Sequence, residues 1–127
     1  MKNVVIVDSV RTGLAKSFRG TLNMTRGDDM VAHCIDALLD RNPNLPADAV
    51  EDIIMGCGNP EGPTGHNIGR NAVVLSKLPL TTSGTTEIDI VHQDYKQFLW
   101  PLVRSWQEVT ILLWQVVLNK SAKYNLL

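Results

Sequence analysis

The chain has 127 residues, an apolar share of 44% and 12 basic against 13 acidic side chains, values that fit one globular domain or part of one. Because the charges balance, no strongly basic or acidic field indicates nucleic acid or an anionic membrane as a partner. The cysteine pair Cys34 and Cys57 makes a disulfide framework unexpected, and no stretch approaches the roughly 20 apolar residues of a membrane span, so we expect a cytoplasmic protein.

The first predicted elements are a strand and a helix joined by a loop. Residues 3–8, NVVIVD, form a short β-branched run that is typical of a strand buried on both faces. The next residues, SVRTGLAKSFRGTLNMTRG, include several turn formers, and their apolar residues show no helical or strand periodicity. They therefore indicate an ordered loop. A helix is predicted over residues 28–41, because acids stand at the N-cap and first-turn positions and apolar side chains recur at helical spacing. The acids are Asp28 and Asp29, and the apolar stripe consists of Val31, Cys34, Ile35 and Leu38.

Two further strands and a second helix are predicted downstream. The run NPNLP ends the first helix, a short helix-like PADAVED follows, and EDIIMGCG, residues 51–58, is the second strand, which Gly56 and Gly58 end. A second helix is expected within residues 65–78, and the Thr-rich residues 80–86 predict a third strand. The apolar stripe of this second helix consists of Ile68, Ala72, Leu75 and Leu78. The order βαβαβ predicts an α/β fold with a mainly parallel sheet.

Neither cysteine is predicted to be a nucleophile. Cys34 lies on the apolar stripe of the first helix, where a cysteine acts as a small buried hydrophobe. Cys57 stands between two glycines after a strand, a position at which active-site loops occur. No neighbouring histidine or cation in the sequence argues for a lowered pKa of its thiol, so a structural role is favoured here as well.

The histidines and glycines also favour structural roles. His33 falls beside Asp29, Asp36 and Asp40 on the polar flank of the first helix, where a solvated face is favoured over a metal site. His66 precedes the second helix and is predicted to be a surface or capping residue. The run GCGNPEG has spaced glycines but lacks a GxGxxG fingerprint, and no Walker, zinc or Ser-His-Asp pattern is present. We therefore expect no cofactor and no metal.

Four blocks of sequence resemble the N-terminal end of a thiolase in their order and spacing. They are VVIVDSVRTGLAKSFRG, DDMVAHCIDALLDR, VEDIIMGCGNPEG and GHNIGRNAVVLSKLP, and the resemblance covers the chain from about residue 3 to residue 86. The run VRTG after the first strand and the residues Gly65, Asn67 and Arg70 in GHNIGR are fairly specific together. The resemblance implies a family that condenses or cleaves acyl-CoA thioesters, uses acyl-CoA and CoA as substrates, and forms homodimers or tetramers.

The resemblance also implies a nucleophilic cysteine, which this chain lacks at the corresponding place. In the family the third strand leads into a motif of the form N-R-x-C-S-S-G-L-Q-A, whereas here TTSGTT is followed by EIDIVHQDYKQ. The composition changes at the same point. All 9 glycines lie between Gly13 and Gly84, and all 3 tryptophans lie after residue 87.

The genetic code offers an explanation for this change. When the last base of each codon is read with the first two bases of the next, residues 87–97 permit N-R-Y-C-S-S-G-L-Q-A. The junction of Asp94 with Tyr95 forces Leu, and the three tryptophan codons each force Ala. The rest of the frame permits ISLAASQVVAGGYDIIVAGGVE, which is similar to the thiolase helix and strand that come next. We predict that residues 87–127 are an out-of-frame translation that follows the loss of one base. A divergent extension or a vector-derived sequence is the alternative.

These observations predict a chain of two parts. Residues 1–86 are expected to be a fragment of a thiolase N-terminal domain, and residues 87–127 a poorly specified tail. The parent enzyme transfers acyl groups through a covalent cysteine intermediate, and this chain is expected to be inactive, with no catalytic, cofactor-binding or metal-binding residue. One alternative is a small α/β interaction module with a Trp-rich, partner-binding tail. Another is an active enzyme whose missing segments come from a second chain.

Overall fold

The computed structural model describes residues 7–16, 19–57 and 60–88. Helices and strands alternate within these ranges, as an α/β fold requires. The regular elements are α1 (Gly27–Arg41), β1 (Asp52–Gly56), α2 (Ile68–Leu75) and β2 (Ser83–Glu87). One-turn 3₁₀ helices, Ala47–Ala49 and Gly62–Thr64, precede β1 and α2 respectively.

The described elements confirm the predicted α/β class and the order helix, strand, helix, strand. The strand predicted over residues 3–8 falls mostly on residues 1–6, which lie outside the described residues. Val7 is described, is 77% exposed and belongs to no strand. The tail predicted over residues 87–127 lies outside the described residues from residue 89 onward.

Helix α1 forms much as its apolar stripe predicts. Its residues Val31, Cys34, Ile35 and Leu38 are buried, and the backbone N–H of Asn42 closes its last turn on Leu38 and Leu39. The predicted N-cap is wrong, because Arg26 occupies that position and makes no capping hydrogen bond through its side chain. Asp28 instead lies inside the first turn and accepts both the Nε–H and an Nη2–H of Arg26, at 2.9 and 2.7 Å.

Strands β1 and β2 form a two-stranded parallel sheet within the described residues. The register places Asp52 opposite Ser83 and Gly56 opposite Glu87. Every residue of β1 is buried, whereas β2 is partly or fully exposed along its whole length. Helix α2 makes the crossover between the strands, as a parallel pair requires. It packs on both strands and on α1.

One apolar core joins α1, β1 and α2. Residues from all three elements and the loops between them are less than 10% exposed and pack together. The core consists of Val31, Cys34, Ile35, Leu39, Val50, Ile53, Met55, Cys57, Ile68, Ala72, Val73 and Leu78. No helix in the described ranges is both long enough and apolar enough to cross a membrane.

The predicted apolar stripe of α2 is wrong at one position. Leu75 is 51% exposed, while Val73 is fully buried and takes its place in the core. The helix has only 8 residues and ends before Leu78, so the helical spacing that linked Leu75 to Leu78 does not apply. Leu78 is buried nonetheless, from the loop that follows.

Candidate functional site

Asn67 joins the start of α2 to the end of β2. Its Oδ1 caps the helix by accepting the backbone N–H of Arg70 at 3.0 Å, and accepts the hydroxyl of Thr86 at 2.8 Å. Its Nδ2 donates to the carbonyl oxygen of Gly84 at 2.8 Å. The Thr86 hydroxyl in turn accepts the N–H of Gly69 at 3.0 Å. One amide side chain therefore fixes both a helix terminus and a strand.

Two glycines let the helix and the strand approach closely at this point. A Cβ placed on Gly69 would lie 2.5 Å from the carbonyl oxygen of Thr85, and one on Gly84 would lie 2.7 Å from Cα of Arg70. Both obstacles are backbone atoms, so no side chain can rotate away. Any larger residue at either position would force α2 away from β2.

Arg70 holds the start of β2. Its guanidinium donates from Nη1 to the carbonyl oxygen of Thr82 at 2.7 Å and from Nη2 to that of Leu80 at 3.0 Å. Thr82 is itself anchored, since its hydroxyl lies 2.9 Å from the carbonyl oxygen of Val50 and is buried. The planar fork of an arginine suits such a pair of acceptors better than a lysine would.

We call this set of contacts the α2–β2 clamp. It consists of Asn67, Gly69 and Arg70 on the helix and of Leu80, Thr82, Gly84 and Thr86 on the strand side. The clamp reaches the carboxyl end of β2, and in open parallel sheets binding and catalytic groups lie at the carboxyl ends of the strands. Its contacts therefore fix the place where chemistry is expected in such a fold.

Both cysteines are buried, as the sequence predicts for Cys34. Cys34 is 4% exposed and Cys57 is 3% exposed, and both belong to the apolar core. Burial raises the pKa of the Cys34 thiol, which disfavours the reactive thiolate. The Sγ of Cys57 lies 4.0 Å from the carbonyl oxygen of Thr64, a weak hydrogen bond inside the protein. These surroundings favour a structural role for both cysteines.

The two described histidines have different surroundings. His33 is exposed and contributes to an open cleft of about 450 Å³, together with Asp29 and Met30 of α1 and residues 11–15 of the N-terminal loop. No cluster of three potential metal ligands occurs in the part of the chain that the structure describes. His66 is exposed, in agreement with a surface position, and has a left-handed backbone with φ of 60°. The cap itself is Asn67 and not His66.

The sequence pointed to only part of the clamp. Asn67 and Arg70 stand in the GHNIGR block, but Gly69, Gly84 and Thr86 were not singled out. A glycine inside a helical pattern is itself a signal, because it costs about 1 kcal/mol relative to alanine and is retained when another backbone lies close. Gly69 fits that description, and Gly84 gives the corresponding signal inside a strand, where an isolated glycine indicates close approach of another backbone.

Comparison with known proteins places this arrangement in context. The family model described as "Thiolase, N-terminal domain" matches residues 4–90. The 3-ketoacyl-CoA thiolase of Aliivibrio salmonicida is 45% identical over 86 residues, which cover 68% of this chain and 22% of that protein. Those of Aliivibrio fischeri and Photobacterium profundum are 43% and 41% identical over the same shares. The chain thus matches about a fifth of the length of these relatives.

Proposed function

Because the chain belongs to the thiolase family through its N-terminal domain, we propose that its parent enzyme transfers acyl groups between acyl-CoA thioesters and CoA. The names of the relatives support 3-ketoacyl-CoA as the substrate class of that parent. In the thiolytic direction a cysteine thiolate attacks the 3-keto carbon, and the bond between C2 and C3 breaks. The departing acetyl-CoA takes up a proton, and the thiol of CoA then releases the acyl group as a new thioester.

We propose further that the present chain is inactive because it lacks the nucleophile. Cys34 and Cys57 are buried in the apolar core, and neither follows β2. Residues 88–127 contain no cysteine. A nucleophile and its proton-transfer partners act as a unit, so the remaining groups are expected to give no turnover above background.

The proposed cause is a lost base within a valine codon, which turned that codon into the codon of Glu87. The family match reaches residue 90, and β2 continues regularly through Glu87. The neighbouring reading frame permits a cysteine across the codons of Ile90 and Val91, within N-R-Y-C-S-S-G-L-Q-A. This register supports the proposal, since that frame sets a thiolase-like motif directly after the strand that the clamp holds.

The location and assembly of the parent belong to the same proposal. The family resemblance implies CoA thioesters as small-molecule partners and a homodimeric or tetrameric assembly. The cytoplasmic location is proposed from the composition of the chain. Neither nucleic acid nor a membrane is proposed as a partner. The balanced charge of the chain, 12 basic and 13 acidic side chains, supports that view.

Thiolysis of acetoacetyl-CoA tests the proposal. The purified chain is expected to show no turnover, whereas the product of the same locus with one base restored within the codon of Glu87, so that it reads valine, is expected to be active. Changing the restored cysteine to serine is the matched control and should abolish that activity. Turnover by the present chain alone, or an inactive restored product, would contradict the proposal. A specific partner captured only when residues 87–127 are present would favour the interaction module instead.

A further inference from the structure

We infer that Asn67 and Thr86 are positioning residues for the nucleophile of the parent enzyme. This inference rests on the proposed function, and it goes beyond it by giving a role in catalysis to side chains that do not react. Thr86 receives one hydrogen bond from the N–H of Gly69 and gives one to Asn67 Oδ1, at 3.0 and 2.8 Å. Both bonds are made by the hydroxyl of Thr86, the last residue before the proposed break.

Hydrogen bonds, rather than apolar burial, fix the end of β2. The strand reads Ser-Gly-Thr-Thr-Glu and contains no large apolar side chain, and none of its residues is fully buried. If β2 consisted of apolar residues, side-chain packing would hold it, and packing tolerates small shifts of a strand. The bonds of Thr86 are directional, and they set the strand relative to α2 along the axis of β2 as well as across it.

The clamp also leaves little freedom in the distance between helix and strand. Gly69 and Gly84 bring the two backbones into direct contact, and a Cβ on either would overlap the other element. In addition to its contact with α2, β2 pairs with β1 along its whole length, from Ser83 to Glu87. The C-terminal end of β2 is therefore constrained by a strand, by a helix terminus and by one amide side chain.

The short separation from the proposed cysteine makes this constraint relevant to catalysis. In the restored reading one residue takes the place of Glu87 and N-R-Y-C follows, so the cysteine is the fifth residue after Thr86. A displacement of about 1 Å at a reacting group can lower a rate by about 100-fold. Groups that hold the preceding strand in place therefore contribute to the rate without contacting the substrate.

An isosteric substitution in the restored enzyme separates positioning from stability. Thr86→Val removes the hydroxyl but keeps the shape of the side chain, and Thr86→Ser keeps the hydroxyl. We expect Thr86→Val to lower kcat for acetoacetyl-CoA by about 10- to 100-fold with a smaller change in KM, and Thr86→Ser to recover most of the rate. Asn67→Asp keeps the hydrogen-bond acceptor but loses the donor to Gly84, and it should lower kcat by a factor between those of Thr86→Ser and Thr86→Val.

The matched control is Thr85→Val in the same strand. Side chains alternate along a strand, and no side-chain hydrogen bond is described for Thr85, so this variant should retain the parent kcat. The second readout is the pH dependence of alkylation of the restored cysteine by iodoacetamide. The thiolase resemblance implies that the cysteine stands at the N-terminus of the next helix, where the helix dipole favours the thiolate. Thr86→Val should therefore move the midpoint, because it shifts the strand that leads to this cysteine, and Thr85→Val should not.

The present chain, without the restored base, can be used to test whether Thr86 acts only at the junction of α2 and β2. Amide hydrogen exchange measured by NMR should become faster in Thr86→Val at Gly69, whose N–H loses its acceptor, and at Glu87. Amides of α1 should exchange at unchanged rates. Equal acceleration in α1 would mean that Thr86 supports the whole domain rather than this junction, and would overturn the inference.

The two proposals fail in different ways. A restored product without thiolysis contradicts the proposed function, and the positioning role with it. An active restored enzyme in which Thr86→Val lowers only the urea midpoint, or behaves like Thr85→Val, contradicts the positioning role alone.

Discussion

In the apolar core, 12 side chains from α1, β1, α2 and their connections exclude water together, whereas in the α2–β2 clamp a few polar groups and two glycines hold a helix terminus on a strand. The core depends on volume and pattern, and many apolar residues of similar size would fill it. The clamp depends on particular atoms, because each bond has one donor, one acceptor and a fixed direction.

The two regions contribute in different ways, one mainly to the stability of the domain and the other mainly to the position of β2. The core supplies most of the favourable free energy, since burial of apolar surface is the dominant stabilising term. The clamp adds less free energy but sets the position of the strand end that precedes the proposed nucleophile. Substitutions in the two regions are therefore expected to differ in kind as well as in size.

The largest effect is expected at the residue where the two regions meet. Ile68 is the first residue of α2, next to Asn67, yet its side chain is fully buried in the core. Ile68→Ala should lower the free energy of unfolding by about 3 kcal/mol, through lost burial and a cavity. Leu75→Ala in the same helix should cost less than about 1 kcal/mol, because half of Leu75 is exposed. Urea unfolding followed by circular dichroism measures both, and equal losses would show that α2 does not pack as described.

A smaller change in the free energy of unfolding, of unusual sign, is expected at Gly69, the helical glycine of the clamp. Replacing a glycine by alanine inside a helix normally stabilises by about 1 kcal/mol, but Gly69→Ala should destabilise by about 2 kcal/mol because the new Cβ meets the backbone of Thr85. Gly13→Ala is the control, since no atom lies within 4 Å of the position of its Cβ. Stabilisation by Gly69→Ala in urea unfolding would contradict the close approach of α2 and β2.

The smallest expected effect concerns pH and lies at the start of α1. The side chain of Arg26 donates to Asp28 and lowers the pKa of that carboxyl below its ordinary value. A carboxyl with a lowered folded-state pKa stabilises the protein above about pH 4, and that stabilisation is lost as the pH falls below it. The urea midpoint should therefore fall more between pH 6 and pH 3 in the unsubstituted chain than in the Asp28→Asn variant. Parallel pH profiles would mean that the ion pair adds nothing to stability.

The sequence predicted the core better than the clamp for a physical reason. Periodic apolar residues such as Val31, Cys34 and Ile35 reveal a buried helical face without knowledge of the partner element. Leu75 was misplaced because the end of a short helix depends on the turn that follows, which periodicity does not record.

The clamp could not be derived from local pattern in the same way. The hydrogen bonds of Asn67 reach residues 17 and 19 positions away, and nothing in the spacing of polar residues specifies which strand they will meet. The family resemblance drew attention to Asn67 and Arg70, but it gave no physical reason for them. The structure supplies that reason, and it adds Gly69, Gly84 and Thr86.

Nucleotide sequencing across the codons of residues 85–92 tests the central claim most directly. If a thiolase message continues in the neighbouring frame, the codon of Ile90 must be ATT, so that its last base and the first two bases of Val91 read TGT for cysteine. The codons of Val91 and His92 must also end in T, so that the next two residues are serine. An Ile90 codon of ATC or ATA would put arginine or serine at that place, and the account of a displaced nucleophile would be wrong.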